Sequence, residues 1–198
     1  MENKTIYGYT LLRKLGAGGM AEVWYAENKI GKVAAVKILS KKLCDEQNIV
    51  ERFENEARIM VKLTHPNIRQ VYDYGMIDDR SCIIMEYLDG EDLGTLIKRD
   101  AVFTQSQIIK WWNQMVSALK YTHQLGIVHG DIKPSNIFIT KDGNVELLDF
   151  GIAKVADSYL STLSGMSMGT PMYMSPEQVQ SSKYVDYRSP TIMPEKRS

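Results

Sequence analysis

Cysteine is scarce in this chain of 198 residues: Cys44 and Cys82 are the only two, far apart and outside any CxxC spacing. That excludes a disulfide framework and a thiolate zinc site, and it fits a reducing compartment in which both thiols serve as small buried apolar groups. Long hydrophobic runs are missing too. The opening MENKTIYGYT holds no apolar stretch of signal-peptide length, and no later run approaches the roughly 18 apolar residues of a membrane span, so a soluble cytoplasmic protein without a membrane segment is expected. Nor is there an excess of one charge. The 24 basic residues balance 24 acidic ones without a Lys/Arg run, which leaves no electrostatic footprint for nucleic acid or an anionic membrane. Internal repeats and low-complexity tracts are absent. What remains is an ordinary globular composition, long enough for one large domain or two small lobes with a real core.

The first third of the chain is rich in strand signals. Residues Tyr9 to Leu15, Glu22 to Glu27 and Lys32 to Leu39 carry apolar and β-branched residues, punctuated by Gly16, Gly18, Gly19 and Gly31, and predict an antiparallel meander. A helix follows, with Ile49, Phe53, Met60 and Leu63 on one stripe, Glu56 within that stripe and His65-Pro66 as its stop. Val71 to Met76 and Ser81 to Glu86 predict a second strand pair. Composition then shifts to helix. Thr104 with Gln107 reads as a capping box that opens a helix with Ile108, Trp112, Met115 and Leu119 on one face and Gly126 at its end. Trp111-Trp112 are accordingly expected in the core. Ile137 to Ile139 and Val145 to Leu148 flank Lys141-Asp142-Gly143-Asn144, whose Asp-Gly step signals a hairpin. Ala153 to Gly169 is a Ser/Met/Gly-rich loop.

Chemistry enters first at Leu15-Gly16-Ala17-Gly18-Gly19-Met20-Ala21-Glu22-Val23, a GxGxxG pattern with Ala in the third glycine position. Alone, such a loop serves backbone turning as readily as ligand binding. The strand on each side matters more. A strand-loop-strand hairpin lays its backbone N–H groups over phosphates, whereas a dinucleotide fingerprint would lead into a helix, and no helix signal follows Ala21. Lys37 closes the apolar strand Val33-Ala34-Ala35-Val36, where an ammonium is costly unless it meets an anion. Nucleotide phosphate is one such anion and Glu56 the other; taken singly, each side chain could instead snorkel to solvent.

Farther on stands Ile127-Val128-His129-Gly130-Asp131-Ile132-Lys133-Pro134-Ser135-Asn136, followed by Asp149-Phe150-Gly151. With these two segments the chain resembles the protein kinase family: glycine loop, strand lysine, helix glutamate, catalytic loop and DFG triplet occur in kinase order and at kinase-like spacing. The resemblance implies an α+β, two-lobe fold, with an antiparallel sheet plus one helix in the first lobe (1–87) and a mainly helical second lobe (88–189), followed by a divergent tail (190–198). It further implies ATP and Mg2+ as cofactors. Asp131 would accept or orient the proton of the substrate hydroxyl and Lys133 would neutralise the transferring group. Asn136 and Asp149 would hold magnesium, and Lys37, fixed by Glu56, would grip the α and β phosphates. Residues Leu15 to Val23 would cover the nucleotide. Val23, Ala35 and Phe138 would sandwich the adenine, and main-chain groups of Glu86, Tyr87 and Leu88, after the bulky Met85, would hydrogen-bond its edge. His129, Phe150, Met60 and Val71 resemble the apolar stack that aligns kinase lobes.

Lys133 in Asp-Ile-Lys-Pro-Ser-Asn and Gly169-Thr170 before Pro171 resemble Ser/Thr kinases, so the expected partner is a protein with Ser or Thr hydroxyls. GAGGMAEVW and YMSPEQ resemble bacterial kinases of this type. Two departures stand out. Gly130 occupies the place of the arginine that pairs with an activation-segment phosphate, so phosphorylation of Ser158, Ser161, Thr162, Ser164 or Ser167 would lack its usual latch, and glycine is expected to loosen the backbone beside Asp131. After Ser175-Pro176-Glu177 and Val185-Asp186-Tyr187-Arg188-Ser189 the pattern stops, and Pro190 and Pro194 oppose the long helix that the family places there. The tail thus resembles a truncated end. From this follow an incomplete second lobe with partly exposed apolar faces, a possible partner chain covering them, and an alternative reading as a catalytically impaired, ATP-binding pseudokinase-like or scaffold protein.

Overall fold

Alternation of apolar and polar residues in the first third produces strands, and glycines and aspartates set where they turn. The computed structural model describes residues 1–150. Thr5–Ile6 (β1), Tyr9–Ala17 (β2), Ala21–Asn28 (β3) and Val33–Leu39 (β4) come first, followed by the helix Gln47–Met60 (α1) and the strands Val71–Ile77 (β5) and Arg80–Met85 (β6). Together the strands form one antiparallel sheet in the order β1-β2-β3-β4-β6-β5. The central strands β4 and β6 are buried along most of their length, as their near-continuous apolar runs require. Asp78 and Asp79 make the two-residue turn between β5 and β6 with positive φ at both positions (49° and 58°), the geometry that matches strand twist.

The sheet has two chemically distinct faces. Because paired residues share a face and neighbours along a strand alternate, Leu11, Trp24, Ala26, Val36, Ile38, Cys82 and Ile84 form one apolar layer. Val23, Ala35, Lys37, Ile83 and Met85 occupy the other face. Helix α1 buries Phe53, Ala57 and Met60, one stripe at helical spacing, while Leu63, assigned to that stripe by its sequence spacing, is buried just beyond the helix end. The amino terminus bridges distant parts of the sheet: Lys4 pairs with Asp78, and the Tyr7 ring lies over Gly75 of β5.

Residues 1–64 and 69–88 form this unit; residues 65–68 belong with the second unit, which begins again at 89. There Gly90–Asp92 (β7), Leu93–Lys98 (α2) and Gln105–Gln124 (α3) precede Ile137–Thr140 (β8) and Val145–Leu147 (β9), and β7, β8 and β9 form a small antiparallel sheet. Asp92 caps α2 by accepting from the Thr95 amide at 2.9 Å. The capping box of α3 is complete: the Thr104 amide donates to Gln107 Oε1 at 2.9 Å and the Gln107 amide donates to Thr104 Oγ1 at 3.3 Å. Gly126, with φ +72°, ends that helix in the left-handed region. Three-residue turn geometry with Gly143 at φ +70° joins β8 to β9, as the Asp-Gly step requires.

The structure corrects three details. Trp111 is 6% exposed but Trp112 is 61% exposed, so only one of the paired tryptophans is core, and Ile108 is exposed as well. The buried stripe of α3 runs through Trp111, Ala118 and Thr122, with Gln114 beside it, because this face serves the β8–β9 turn. Trp111 Nε1 donates to the Gly143 carbonyl at 3.2 Å, Gln114 Nε2 donates to Asn144 Oδ1 at 3.0 Å, and Gln114 Oε1 accepts from the Val145 amide at 2.9 Å. Polar residues that satisfy a turn thus displace the more apolar stripe from the interior. Cys44 is only half-buried, its thiol directed at the Ser40 carbonyl, whereas Cys82 is buried and its thiol is pushed up to about 11 by desolvation. Gly130 adopts φ +73°, where glycine is favoured over any L side chain, so it fits the turn before Asp131 rather than loosening it.

Candidate active site

In the first unit, the glycine segment forms the tip of the β2–β3 hairpin. The Gly18 amide donates to the Ala21 carbonyl at 2.8 Å, and the Met20 carbonyl accepts from the Ser40 amide at 2.8 Å. A Cβ added at Gly16 or Gly19 would meet nothing within 4 Å, so the tip projects into open space, with Leu15 and Met20 exposed on it. Ala17 and Glu22 form the last register pair before the tip.

Lys37 and Glu56 meet as expected, Nζ to Oε1 at 3.6 Å, with side chains 14% and 16% exposed. The register that pairs Val23 with Lys37 and Ala35 with Met85 brings these four side chains to the same sheet face. Ala35 and Met85 are buried there. Past Met85 the backbone is partly committed. The Glu86 amide donates to the Gln70 carbonyl at 2.8 Å, and the Glu86 carbonyl accepts from Arg69 Nε at 2.9 Å, which leaves that oxygen one further lone pair. Tyr87 packs edge-on to Tyr25 at 4.9 Å, and Leu88 is buried. Glu22 stands apart: its carboxylate lies on the opposite face, with Trp24 and Ile38, and pairs with Lys14 and Arg80.

In the second unit, a tight polar cluster forms around Asp131. Lys133 Nζ lies 2.8 Å from Asp131 Oδ2, and Asn136 Nδ2 donates to the same oxygen at 3.0 Å and to the Asp131 carbonyl at 2.8 Å. A 3-10 turn, Pro134–Asn136, holds Asn136 in place, and the Asn136 carbonyl accepts from the Leu148 amide at 2.9 Å, which ties the turn to the residue before Asp149. With its amide nitrogen spent on Asp131, Asn136 keeps its side-chain oxygen for another partner. That oxygen and the Asp149 carboxylate are hard-oxygen donors of the kind that suits magnesium. Phe138 is half-buried on β8.

His129 organises this cluster from beneath. Its Nδ1 accepts from the Asp131 amide at 3.3 Å and its Nε2 donates to the Leu148 carbonyl at 3.0 Å, a pattern only one neutral tautomer satisfies. Burial accordingly pushes the imidazole down to about 4, although the Leu148 carbonyl, Asp131 and Asp149 oppose the shift. The ring stacks on Phe150 with centroids 4.3 Å apart. Met60 and Val71, the other two members of the expected stack, are buried within the first unit.

Gly151 of the DFG triplet, the serines and threonine from Ser158 to Ser167, Gly169-Thr170-Pro171, Ser175-Pro176-Glu177 and the tail lie outside the described residues. Among the residues that sequence reasoning overlooked, Lys14, Arg80, Arg69 and Gln70 bond to expected site residues or their backbones. Lys14 sits on β2, Arg80 on β6, and Arg69 and Gln70 on the connection before β5, so no spacing pattern could have revealed them.

Comparison with known proteins agrees with this geometry. The serine/threonine-protein kinase PknA of Mycobacterium tuberculosis is 40% identical over 176 residues, covering 86% of this chain and 41% of that protein. PrkC of Bacillus subtilis, also a serine/threonine-protein kinase, is 39% identical over 173 residues, covering 87% of this chain and 27% of that protein. The chain therefore spans less than half the length of these relatives. The crystal structure of the M. tuberculosis PknI kinase domain superposes with a TM-score of 0.72 at 30% identity, covering 96% of this chain and 70% of that one. Residues 9–190 match the family model described as protein kinase domain, and the chain belongs to that family.

Proposed function

We propose that this chain transfers the γ-phosphoryl group of MgATP to Ser or Thr hydroxyls of a protein. The observation that carries the reading is the Asp131–Lys133–Asn136 cluster, with Lys133 Nζ and Asn136 Nδ2 both on Asp131 Oδ2 and His129 bonded to the Asp131 amide. In this reading the substrate hydroxyl oxygen forms a bond to the γ-phosphorus while the bond from phosphorus to the β,γ-bridging oxygen breaks, and ADP leaves. The hydroxyl proton passes to Asp131. Lys133 offsets charge on the transferring group, and the side-chain oxygens of Asn136 and Asp149 would hold Mg2+, which would supply neutralisation of phosphate charge. Lys37, oriented by Glu56, contacts the α and β phosphates, and Val23 and Ala35, on the same sheet face as Lys37, contact the adenine. Support for Ser/Thr over Tyr comes from Lys133 in its Asp-Ile-Lys-Pro-Ser-Asn setting and from the relatives, which are serine/threonine-protein kinases.

The test is transfer of labelled γ-phosphate to a library of Ser-, Thr- and Tyr-containing peptides. Asp131→Asn is expected to lower kcat on the order of a thousandfold while nucleotide still binds, since positioned proton acceptance and electrostatics each contribute factors of this size. Lys37→Met should weaken nucleotide binding as well. Wild-type protein that binds MgATP and transfers nothing, or labels only Tyr peptides, would overturn the reading.

A further inference from the structure

Glu22 begins from a puzzle of charge. A carboxylate at the root of a hairpin assigned to phosphates would repel them, and side-chain exposure of only 15% gives it little water. The structure resolves this with two cations. Glu22 Oε1 lies 2.8 Å from the Arg80 guanidinium and Oε2 lies 2.6 Å from Lys14 Nζ. Burial would raise the Glu22 carboxyl, but hydrogen bonds from Lys14 and Arg80 outweigh it and hold the group below the usual range.

Arg80 does more than neutralise. Its side chain is 14% exposed, and its Nε donates to the Leu39 carbonyl at 2.7 Å while its terminal nitrogen holds Glu22. One guanidinium therefore links the start of β6, the end of β4 and the root of β3, and Lys14 adds β2. This is a use of the planar fork that a lysine could not reproduce. Glu22 pairs with Ala17 on one side and Ile38 on the other, so it is the hinge residue below the tip. Above it the tip has almost nothing to lean on, since Gly19 faces open space and Gly18 approaches only the Ala21 carbonyl. Apart from the Ala21–Leu39 pair and the Met20–Ser40 bond, which tie its base to β4 and the residue after it, the position of the tip is inherited from its root.

We propose that Glu22, held by Arg80 and Lys14, is a positioning residue that fixes the root of the glycine hairpin and thereby sets the affinity for nucleotide phosphates. The nucleotide part rests on the phosphotransfer reading above; the clamp itself does not. Two measurements keep them separable. Amide hydrogen exchange without nucleotide reads the clamp: in Glu22→Gln, an isosteric change, and in Arg80→Lys, the amides of residues 16–21 should exchange about tenfold faster, the factor for losing one charge-assisted bond, while those of Val36 and Ile84 stay unchanged. Steady-state kinetics read its use: KM for ATP should rise about tenfold in both variants and by more than kcat falls. Lys14→Met, which removes the more exposed of the two cations, should shift both readouts in the same direction by a smaller factor.

Unchanged exchange at residues 16–21 would overturn the clamp, as would uniform acceleration across the sheet, which marks a merely structural role. Faster tip exchange with KM unmoved, or a fall in kcat alone, would overturn the link to nucleotide affinity. A wild type that binds no nucleotide would defeat the phosphotransfer reading and the nucleotide link with it, while exchange would still decide the clamp.

Discussion

At the scale of single residues, the protonation of His129 has the widest reach. Its neutral tautomer bonds the Asp131 amide and the Leu148 carbonyl at once, and protonation would turn the Nδ1 acceptor into a second donor facing an N–H. With a folded value of about 4 against an ordinary 6.5, the unfolded chain binds the proton first as pH falls. The stability that the neutral imidazole contributes is therefore complete above pH 6.5 and is lost progressively down to about pH 4, by about 3 kcal/mol in all at about 1.4 kcal/mol per unit. Burial also lowers His65 and His123, which adds to the same slope. Urea titrations between pH 7 and pH 4.5 should show this loss, with a shallower slope in His129→Phe. An equal slope in the variant would assign the acid sensitivity elsewhere.

The residue scale was also where the sequence was easiest to read. Lys37 and Glu56 were legible because each is a charged group in an otherwise apolar stretch, where burial without a partner would be costly, whereas Asp131, Lys133 and Asn136 were legible through the resemblance of their segment to the kinase catalytic loop. Their partners were less so. Glu22 looked like one more member of the nucleotide loop, and only the register, which turns it to the face of Trp24 and Ile38, separates it from Val23 and Lys37.

At the scale of elements, local signals predicted what was local. The Thr104–Gln107 box and Gly126 delimit α3 because caps satisfy backbone groups within one turn. By contrast, β7 and α2, three and six residues long, escaped notice, since β7 exists through pairing with β8: Gly90 faces Thr140, far along the chain. That pairing yields a contrast between two glycines. A Cβ at Gly90 would collide with the Ile139 carbonyl, which is backbone and cannot move without breaking the ladder. One at Gly75 would strike only the ring of Tyr7, which is largely exposed and can swing away. Gly90→Ala should cost about 3 kcal/mol in chemical denaturation and Gly75→Ala less than about 1 kcal/mol, in line with overpacking against rigid and yielding neighbours respectively. Equal costs would mean that β7 is dispensable.

For the molecule as a whole, the exposed side of α3 is the apolar surface that bears on behaviour in solution. Ile108, Ile109, Trp112 and Val116 are all exposed on it, and they identify no partner. Ile109→Lys with Trp112→Gln should raise the soluble fraction and abolish concentration-dependent association in light scattering without lowering Tm, because neither side chain is buried. A drop in Tm would instead mean that this face contributes to stability. Among the described residues no helix is long and apolar enough to cross a membrane.

By itself the sequence determined the family and the α+β organisation, because these depend on residue type, on order along the chain and on turn and cap chemistry that acts over a few positions. Tertiary structure alone decided which face each side chain occupies. It put Trp111 inside and Trp112 outside, gave Glu22 to Arg80 and Lys14 rather than to the Lys37 face, gave the Glu86 amide to Gln70 and held His129 neutral under Asp131. Each outcome depends on register and pairing between segments distant in sequence, where a shift of one residue exchanges the two faces of a strand and no local pattern records the choice.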